Sequence, residues 1–191
     1  MGRGRRRGTG HPIEGDAVEP SPGGPAAMDI AVRFLASRPR TRWELERRLR
    51  RGGVDESVVA ATLDRLETLG YVDDAAFARW LGEQRDRHAP RGQRLLEAEL
   101  RRSGVPAEVI AAHRVEHANP ERPPEDAALP ADESDRAHDA LARHLRGRPM
   151  PADPRARRRI GMFLMRRGFN AETVRTAMRE VGEVEGTDDQ P

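Results

Sequence analysis

Apolar residues recur at helical spacing from about residue 27 to residue 182, and glycine, proline and capping residues cut the pattern into nine segments. The first predicted helix covers 27–37, with Ile30, Phe34 and Leu35 on one face, and breaks at Pro39. Thr41-Arg-Trp-Glu44 then reads as a capping box, in which each side chain satisfies the other residue's free backbone donor. Gly52-Gly53 closes this second helix. A third starts near Asp55 and carries Val58, Val59, Thr62, Leu63, Leu66 and Leu69 inward. After Gly70-Tyr71-Val72, Asp73 caps a helix with Phe77, Trp80 and Leu81 inward. Pro90 separates it from one bearing Leu95, Leu96 and Leu100, and Pro106 sits in the first turn of the next. A further group starts near Ser134 with Leu141 and Leu145. Asp153-Pro154 opens a helix presenting Ile160, Phe163 and Leu164, and Asn170 caps a last one with Val174, Ala177, Met178 and Val181.

One motif recurs at the end of every middle helix: Leu49-Arg-Arg-Gly-Gly-Val54, Leu100-Arg-Arg-Ser-Gly-Val105 and Leu164-Met-Arg-Arg-Gly-Phe169. Each reads Leu-x-Arg-x-Gly-apolar, and Val59, Ile110 and Val174 follow at a common offset. A recurring helix–Gly–helix unit predicts an all-α chain of three tandem three-helix repeats, at 27–71, 72–117 and 134–182. Residues 1–26, rich in Gly, Pro and Arg, are expected to be a disordered arm. Residues 118–133 form a Pro- and acid-rich linker and 183–191 an acidic disordered tail.

Composition narrows the chemistry. Aromatic residues make up 4% of the chain and no alternating strand-type run occurs, which supports the helical reading. The absence of cysteine excludes disulfides, thiolate metal sites and cysteine nucleophiles. No stretch approaches the ~20 apolar residues of a membrane span, and the N-terminus lacks the apolar region of a secretory signal, so a cytoplasmic protein is expected. All 34 basic residues are arginine, against 32 acids, and the formal net charge is only +2. Any argument about anionic partners therefore rests on where arginine clusters. The use of arginine without lysine also fits the coding bias of a GC-rich genome.

The middle helices are the basic ones. Residues 42–51 hold five Arg against two Glu, residues 85–102 six Arg against three acids, and residues 153–168 six Arg against Asp153. Pairs such as Glu44–Arg48, Glu46–Arg50 and Glu97–Arg101 can neutralise part of the first two groups. Arg155-Ala-Arg-Arg-Arg159 has almost no local partner. The candidate contacts for an anionic partner are Arg47, Arg51, Arg94, Arg101, Arg158 and Arg159. Trp43, Phe77 and Trp80 are expected in the core rather than as base-stacking surfaces.

His113-Arg-Val-Glu-His117 matches the H-x-x-E-H arrangement of some zinc proteases. In the repeat register, however, position 113 aligns with Thr62 and Ala177, and position 117 with Leu66 and Val181. These are core or core-edge positions, so no metal, cofactor or catalytic group is assigned.

Leu69-Gly-Tyr-Val-Asp-Asp-Ala-Ala-Phe-Ala78, Arg91-Gly with Leu95, Glu99-Leu-Arg-Arg-Ser-Gly-Val105 and Phe163-Leu-Met-Arg-Arg-Gly-Phe169 resemble the RecX family of bacterial recombination regulators. The resemblance covers about residues 28–182. It implies an elongated, curved array of three three-helix repeats, basic along one side. It also implies binding of a monomer to the RecA recombinase filament, with contact to single-stranded DNA inside it, and inhibition of ATP hydrolysis, strand exchange and the SOS response. The alternative from the residues is a helix-turn-helix DNA-binding transcription regulator, although the acidic helix from Asp55 to Leu69 is ill suited to the major groove. A helical scaffold for another acidic partner is a third reading.

Overall fold

The computed structural model describes residues 23–117 and 132–187, and all regular structure among them is helical. The first unit comprises α1 (Gly24–Leu35), α2 (Arg42–Arg51) and α3 (Glu56–Thr68). The second comprises α4 (Asp74–His88), α5 (Gln93–Arg102) and α6 (Ala107–His117), and the third α7 (Glu133–Leu145), α8 (Pro154–Arg166) and α9 (Ala171–Thr187).

The element boundaries follow local chemistry. Thr41 and Glu44 form the expected capping box: Thr41 Oγ1 accepts the Glu44 N–H at 3.1 Å, and the Thr41 N–H donates to Glu44 Oε2 at 3.4 Å. Asp73 accepts from the N–H groups of Ala75 and Ala76, and Asp153 from those of Arg155 and Ala156. Asn170 Oδ1 accepts the Thr173 N–H at 2.9 Å.

The outer boundaries differ from those expected. α1 begins at Gly24 rather than 27, since Pro25 lies in the first turn, where its missing N–H has no intrahelical partner to lose. Asp132 and Glu133, expected in the linker, are the N-cap and first residue of α7, with Asp132 Oδ1 accepting the Asp135 N–H at 2.9 Å. α9 continues to Thr187, past residue 182, because no proline interrupts the segment. The rest of the expected arm, linker and tail lies outside the described residues.

The recurring motif is a helix stop with a defined bond pattern. The Gly53 N–H donates to the Arg50 carbonyl at 3.1 Å and the Val54 N–H to the Leu49 carbonyl at 3.3 Å. The same two bonds close α5 (Gly104 to Arg101, Val105 to Leu100) and α8 (Gly168 to Met165, Phe169 to Leu164). This is the Schellman arrangement, and the three glycines have φ of 74°, 78° and 91°, a region that a Cβ disfavours. Its usual apolar contact is present as well. Leu49, Leu100 and Leu164 are fully buried, as are nearly all of Val54, Val105 and Phe169.

Each unit has its own core. Leu45, Leu49, Val59, Leu63 and Leu66 fill the first, Phe77, Leu81, Leu96, Leu100 and Ile110 the second, and Leu141, Ile160, Leu164, Phe169 and Val174 the third. Two expected core residues lie outside these clusters. Leu69 follows the end of α3 and is 46% exposed. Trp43 is 37% exposed, one position out of phase with the buried Leu45–Leu49 edge. Phe77 is buried as expected and Trp80 packs beside it, with ring centroids 5.6 Å apart.

The units meet through caps and turns, and one joint is used twice. At the first joint, Thr41 Oγ1 donates to the Ser103 carbonyl at 2.6 Å, and the Arg42 N–H donates to Asp74 Oδ1 at 2.9 Å. At the second, the Gly92 N–H donates to the Arg167 carbonyl at 2.9 Å, and the Gln93 N–H to Glu133 Oε1 at 3.2 Å. In both, the N-terminus of a middle helix meets the next unit at two points: the glycine turn of its middle helix and an acid at the start of its first helix. The glycines permit the approach. A Cβ on Gly104 would stand 2.5 Å from Trp43 Cβ and Cγ, and one on Gly168 would stand 2.5 Å from Leu95 Cβ. Gly53, in the first unit, has nothing within 4 Å of that position. In the third unit Pro154 occupies the first turn of α8, so the backbone donor supplied by Arg42 and Gln93 has no counterpart there.

Candidate partner and nucleic-acid interface

The three basic helices differ in how far carboxylates neutralise them. On α2 Arg42 and Arg50, and on α5 Arg101, are tied to carboxylates, whereas Arg47, Arg48, Arg51, Arg94 and Arg102 have no carboxylate partner among the described residues. Arg42 pairs with Asp64 at 3.0 Å and with Glu67, and Arg50 with Glu46 at 2.7 Å and with Glu56. Hydrogen bonds from Glu67, then Asp64, raise the Arg42 guanidinium above its usual range. Arg85 and Arg91 both reach Glu99, and Arg101 and Arg114 both reach Glu97 at 2.6 Å.

Glu97 is the anchor of the second unit. Burial alone would raise its carboxyl, but hydrogen bonds from Arg114, Gln93 and Arg101 outweigh burial and hold it below the usual range. Asp74, at the first joint, goes the other way. Burial raises it above the ordinary carboxylate range, against the Arg42 backbone donor, while Glu67 and Asp73 add like charge.

Of the local pairs expected from sequence, Glu46–Arg50 and Glu97–Arg101 form. Glu44 does not pair with Arg48. Its role in the capping box turns it back toward Thr41, where Arg38 meets it at 2.6 Å.

Among the described residues Arg155, Arg157, Arg158, Arg159 and Arg166 on α8 have no carboxylate partner. The spacing 155, 158, 159, 162, 166 places four of these arginines with Met162 along one strip, and they line a common groove. Met162 is 47% exposed, so the strip offers apolar contact area between its charges. Arg157 leaves this face and turns toward Gly182 of α9. Asp153, the helix's one acid, is used as its N-cap.

The six candidate arginines are all exposed, but they are not equivalent. Arg158 and Arg159 come together on the α8 strip. Arg47 lies with its guanidinium 4.2 Å from the centroid of the Trp43 ring, which itself covers Gly104 at the first joint. Arg51 and Arg94 have no carboxylate partner among the described residues, whereas Arg101 is committed to Glu97. In the repeat register Trp43-Arg47-Arg51, Arg94-Ala98-Arg102 and Arg158-Met162-Arg166 occupy the same face of α2, α5 and α8. Arg102, Arg155 and Arg166, outside the six candidates, share these faces. Helical spacing from Arg94 and Arg158 would have found them.

His113 is buried on α6, 3% exposed, as the repeat register implies, and no group of acids and histidines able to hold a metal occurs among the described residues. The side chain of His117 lies outside the described residues. No helix among those described is long and apolar enough to cross a membrane.

Comparison with known proteins gives the same division into units. Family models for the first, second and third three-helix domains of RecX match residues 27–66, 73–113 and 131–178. The chain belongs to the RecX family. It is 37% identical over 185 residues to the regulatory protein RecX of Thermobifida fusca, covering 91% of this chain and 92% of that one. It is 32% identical over 166 residues to the regulatory protein RecX of Chlorobaculum tepidum, covering 86% and 94%. The crystal structure of RecX from Lactobacillus salivarius superposes with a TM-score of 0.67 over 83% of this chain and 96% of that one. At 15% identity, that agreement concerns the RecX fold alone. These RecX relatives are named as regulatory proteins, and a RecX regulatory role is the function that follows for this chain.

Proposed function

We propose that the chain is a non-enzymatic regulator that docks, as a monomer in the cytoplasm, on the filament of RecA recombinase on single-stranded DNA. There it inhibits ATP hydrolysis and strand exchange, and with them recombination and the SOS response. The observation that carries this reading is the α8 strip. Arg155, Arg158, Arg159 and Arg166 stand around Met162 on α8 with no carboxylate partner among the described residues. Guanidinium groups without internal partners lose little on meeting phosphates or carboxylates, and their planar forks match both. The filament supplies phosphodiesters and a protein surface together, which suits a strip of mixed arginine and methionine.

The remaining face residues, Arg47, Arg51, Arg94 and Arg102, extend the same contact along α2 and α5. Electrostatic docking of this kind weakens steeply as salt displaces the contacts. A helix-turn-helix reading has less support, because Asp64 and Glu67 place acid on α3, where a recognition helix needs donors. The test is ATP hydrolysis by RecA on single-stranded DNA with increasing amounts of this protein. A falling rate supports the reading, and an unchanged rate at saturation rejects it.

A further inference from the structure

The second joint holds a cavity of about 390 Å³ between the His88–Pro90 turn of the second unit and Arg143, His144, Arg146, Arg148 and Arg167 of the third. Four of the ten lining residues are arginine, two are histidine, and none is acidic. The volume lies within the range of small-molecule sites. It is separate from the α8 strip, since no residue lines both.

Two of the arginines are structural. Arg143 makes a two-point contact with Asp139 (2.9 and 2.8 Å) and donates to the Arg87 carbonyl at 2.9 Å, so its fork is already filled. Arg167 donates to the Pro90 carbonyl at 3.1 Å and lies 4.9 Å from the centroid of Phe163, which in turn stacks on His144 at 4.1 Å. These contacts build the walls and fix the third unit against the second.

The other two belong to the turn between α7 and α8. Arg148 anchors its Nε on the Leu145 carbonyl at 3.1 Å. Arg146 is the one non-glycine residue among those described with positive φ, at 54°. A glycine would take that left-handed conformation without strain, as Gly147 does next to it. An arginine held there gains nothing for the turn itself, and what it adds is a guanidinium at the cavity. Positive charge is crowded nearby: burial, then the like charges of Arg85 and Arg167, hold the Arg91 guanidinium below its usual range despite its pairing with Glu99.

We propose that this cavity is a phosphate-binding site, in which Arg146 and Arg148 close on a phosphate group of a single-stranded nucleic acid or of a free nucleotide. A phosphate held there touches both units, so binding would also stiffen the joint between them. The proposal goes beyond the filament reading and does not depend on it, because no recombinase takes part in its test.

The test titrates the full-length protein at low salt with two probes, a fluorescent oligo(dT) followed by anisotropy and thymidine monophosphate followed by calorimetry. The variants are Arg146→Gly, which keeps the backbone conformation and removes the guanidinium, and Arg175→Gln, which removes one exposed charge from α9. The expected result is that Arg146→Gly weakens whichever probe binds the wild type at least five-fold, with an undiminished melting temperature. Arg175→Gln should change it less than two-fold. Loss with the oligonucleotide alone identifies a strand as the source, and loss with the monophosphate identifies a free nucleotide. Failure of the wild type to bind either probe, or equal losses in the two variants, overturns the proposal. A protein that leaves RecA hydrolysis untouched yet shows the Arg146 effect would reject the filament reading and keep this one.

Discussion

Replacing Gly104 by alanine tests whether the glycine of the repeated motif serves the joint between units as well as the end of its helix. Gly53→Ala is the built-in control. Both residues have nearly the same φ, 74° and 78°, and both close a Schellman turn. The conformational penalty of a Cβ in that region, about 1–2 kcal/mol, is therefore common to the two variants. The surroundings differ. A Cβ at 53 meets nothing within 4 Å, whereas at 104 it stands 2.5 Å from Trp43 Cβ and Cγ. Carbon atoms need about 3.5–4.0 Å, so the two units must part by roughly 1 Å or more. That movement breaks the 2.6 Å bond from Thr41 Oγ1 to the Ser103 carbonyl, worth about 1 kcal/mol. It also exposes part of the covered indole, worth about another 1 kcal/mol. Gly104→Ala should thus lose about 2 kcal/mol more than Gly53→Ala. At this chain length the difference is an additional drop of about 4–8 °C in melting temperature, measured by circular dichroism. Gly168→Ala should behave like Gly104→Ala, through Leu95. Equal melting temperatures for Gly53→Ala and Gly104→Ala would refute the shared joint.

Glu97→Gln removes the carboxylate that holds Arg101, Arg114 and Gln93 and should lower stability by about 2–3 kcal/mol, read from the urea midpoint. Because the folded state holds Glu97 below its unfolded range, its contribution is present above that range and is lost as pH falls through the folded value. The wild type should therefore lose stability toward acid more steeply than Glu97→Gln, and parallel pH profiles would contradict the anchoring role. Asp74 acts in the opposite sense: its raised carboxyl costs stability above the ordinary range and the cost is relieved by acid, so Asp74→Asn should flatten that gain. Thr41→Val removes a helix cap and the bond to Ser103 together, and a loss of about 2 kcal/mol in chemical denaturation is expected.

The parts of the fold legible in the sequence are those governed by short-range rules. The capping box at Thr41, the proline after Asp153 and the glycine turns each depend on residues within one turn, so helix number, order and most ends follow from them. The three separate cores follow from periodicity, as does the burial of His113. The joints are different in kind. Trp43 is exposed by its position on α2, yet it is held by the backbone of Gly104, and nothing local to either residue signals the other. For the same reason helical spacing pairs Glu44 with Arg48 rather than with Arg38, and nothing local to Arg146 signals its left-handed backbone. Arginine density points to the middle helices, but only the placed carboxylates separate Arg101, which is paired with Glu97, from the open strip on α8.

The most direct test of the account is co-sedimentation of the protein with RecA filaments on single-stranded DNA. It compares the wild type with Arg155→Glu/Arg158→Glu/Arg159→Glu across a range of salt concentrations. These side chains are exposed and have no carboxylate partner among the described residues, so the variant should unfold as the wild type does. Binding at least ten-fold weaker, with a shallower dependence on salt, is the result predicted. A variant that sediments like the wild type at every salt concentration would place the interface elsewhere and contradict the central claim.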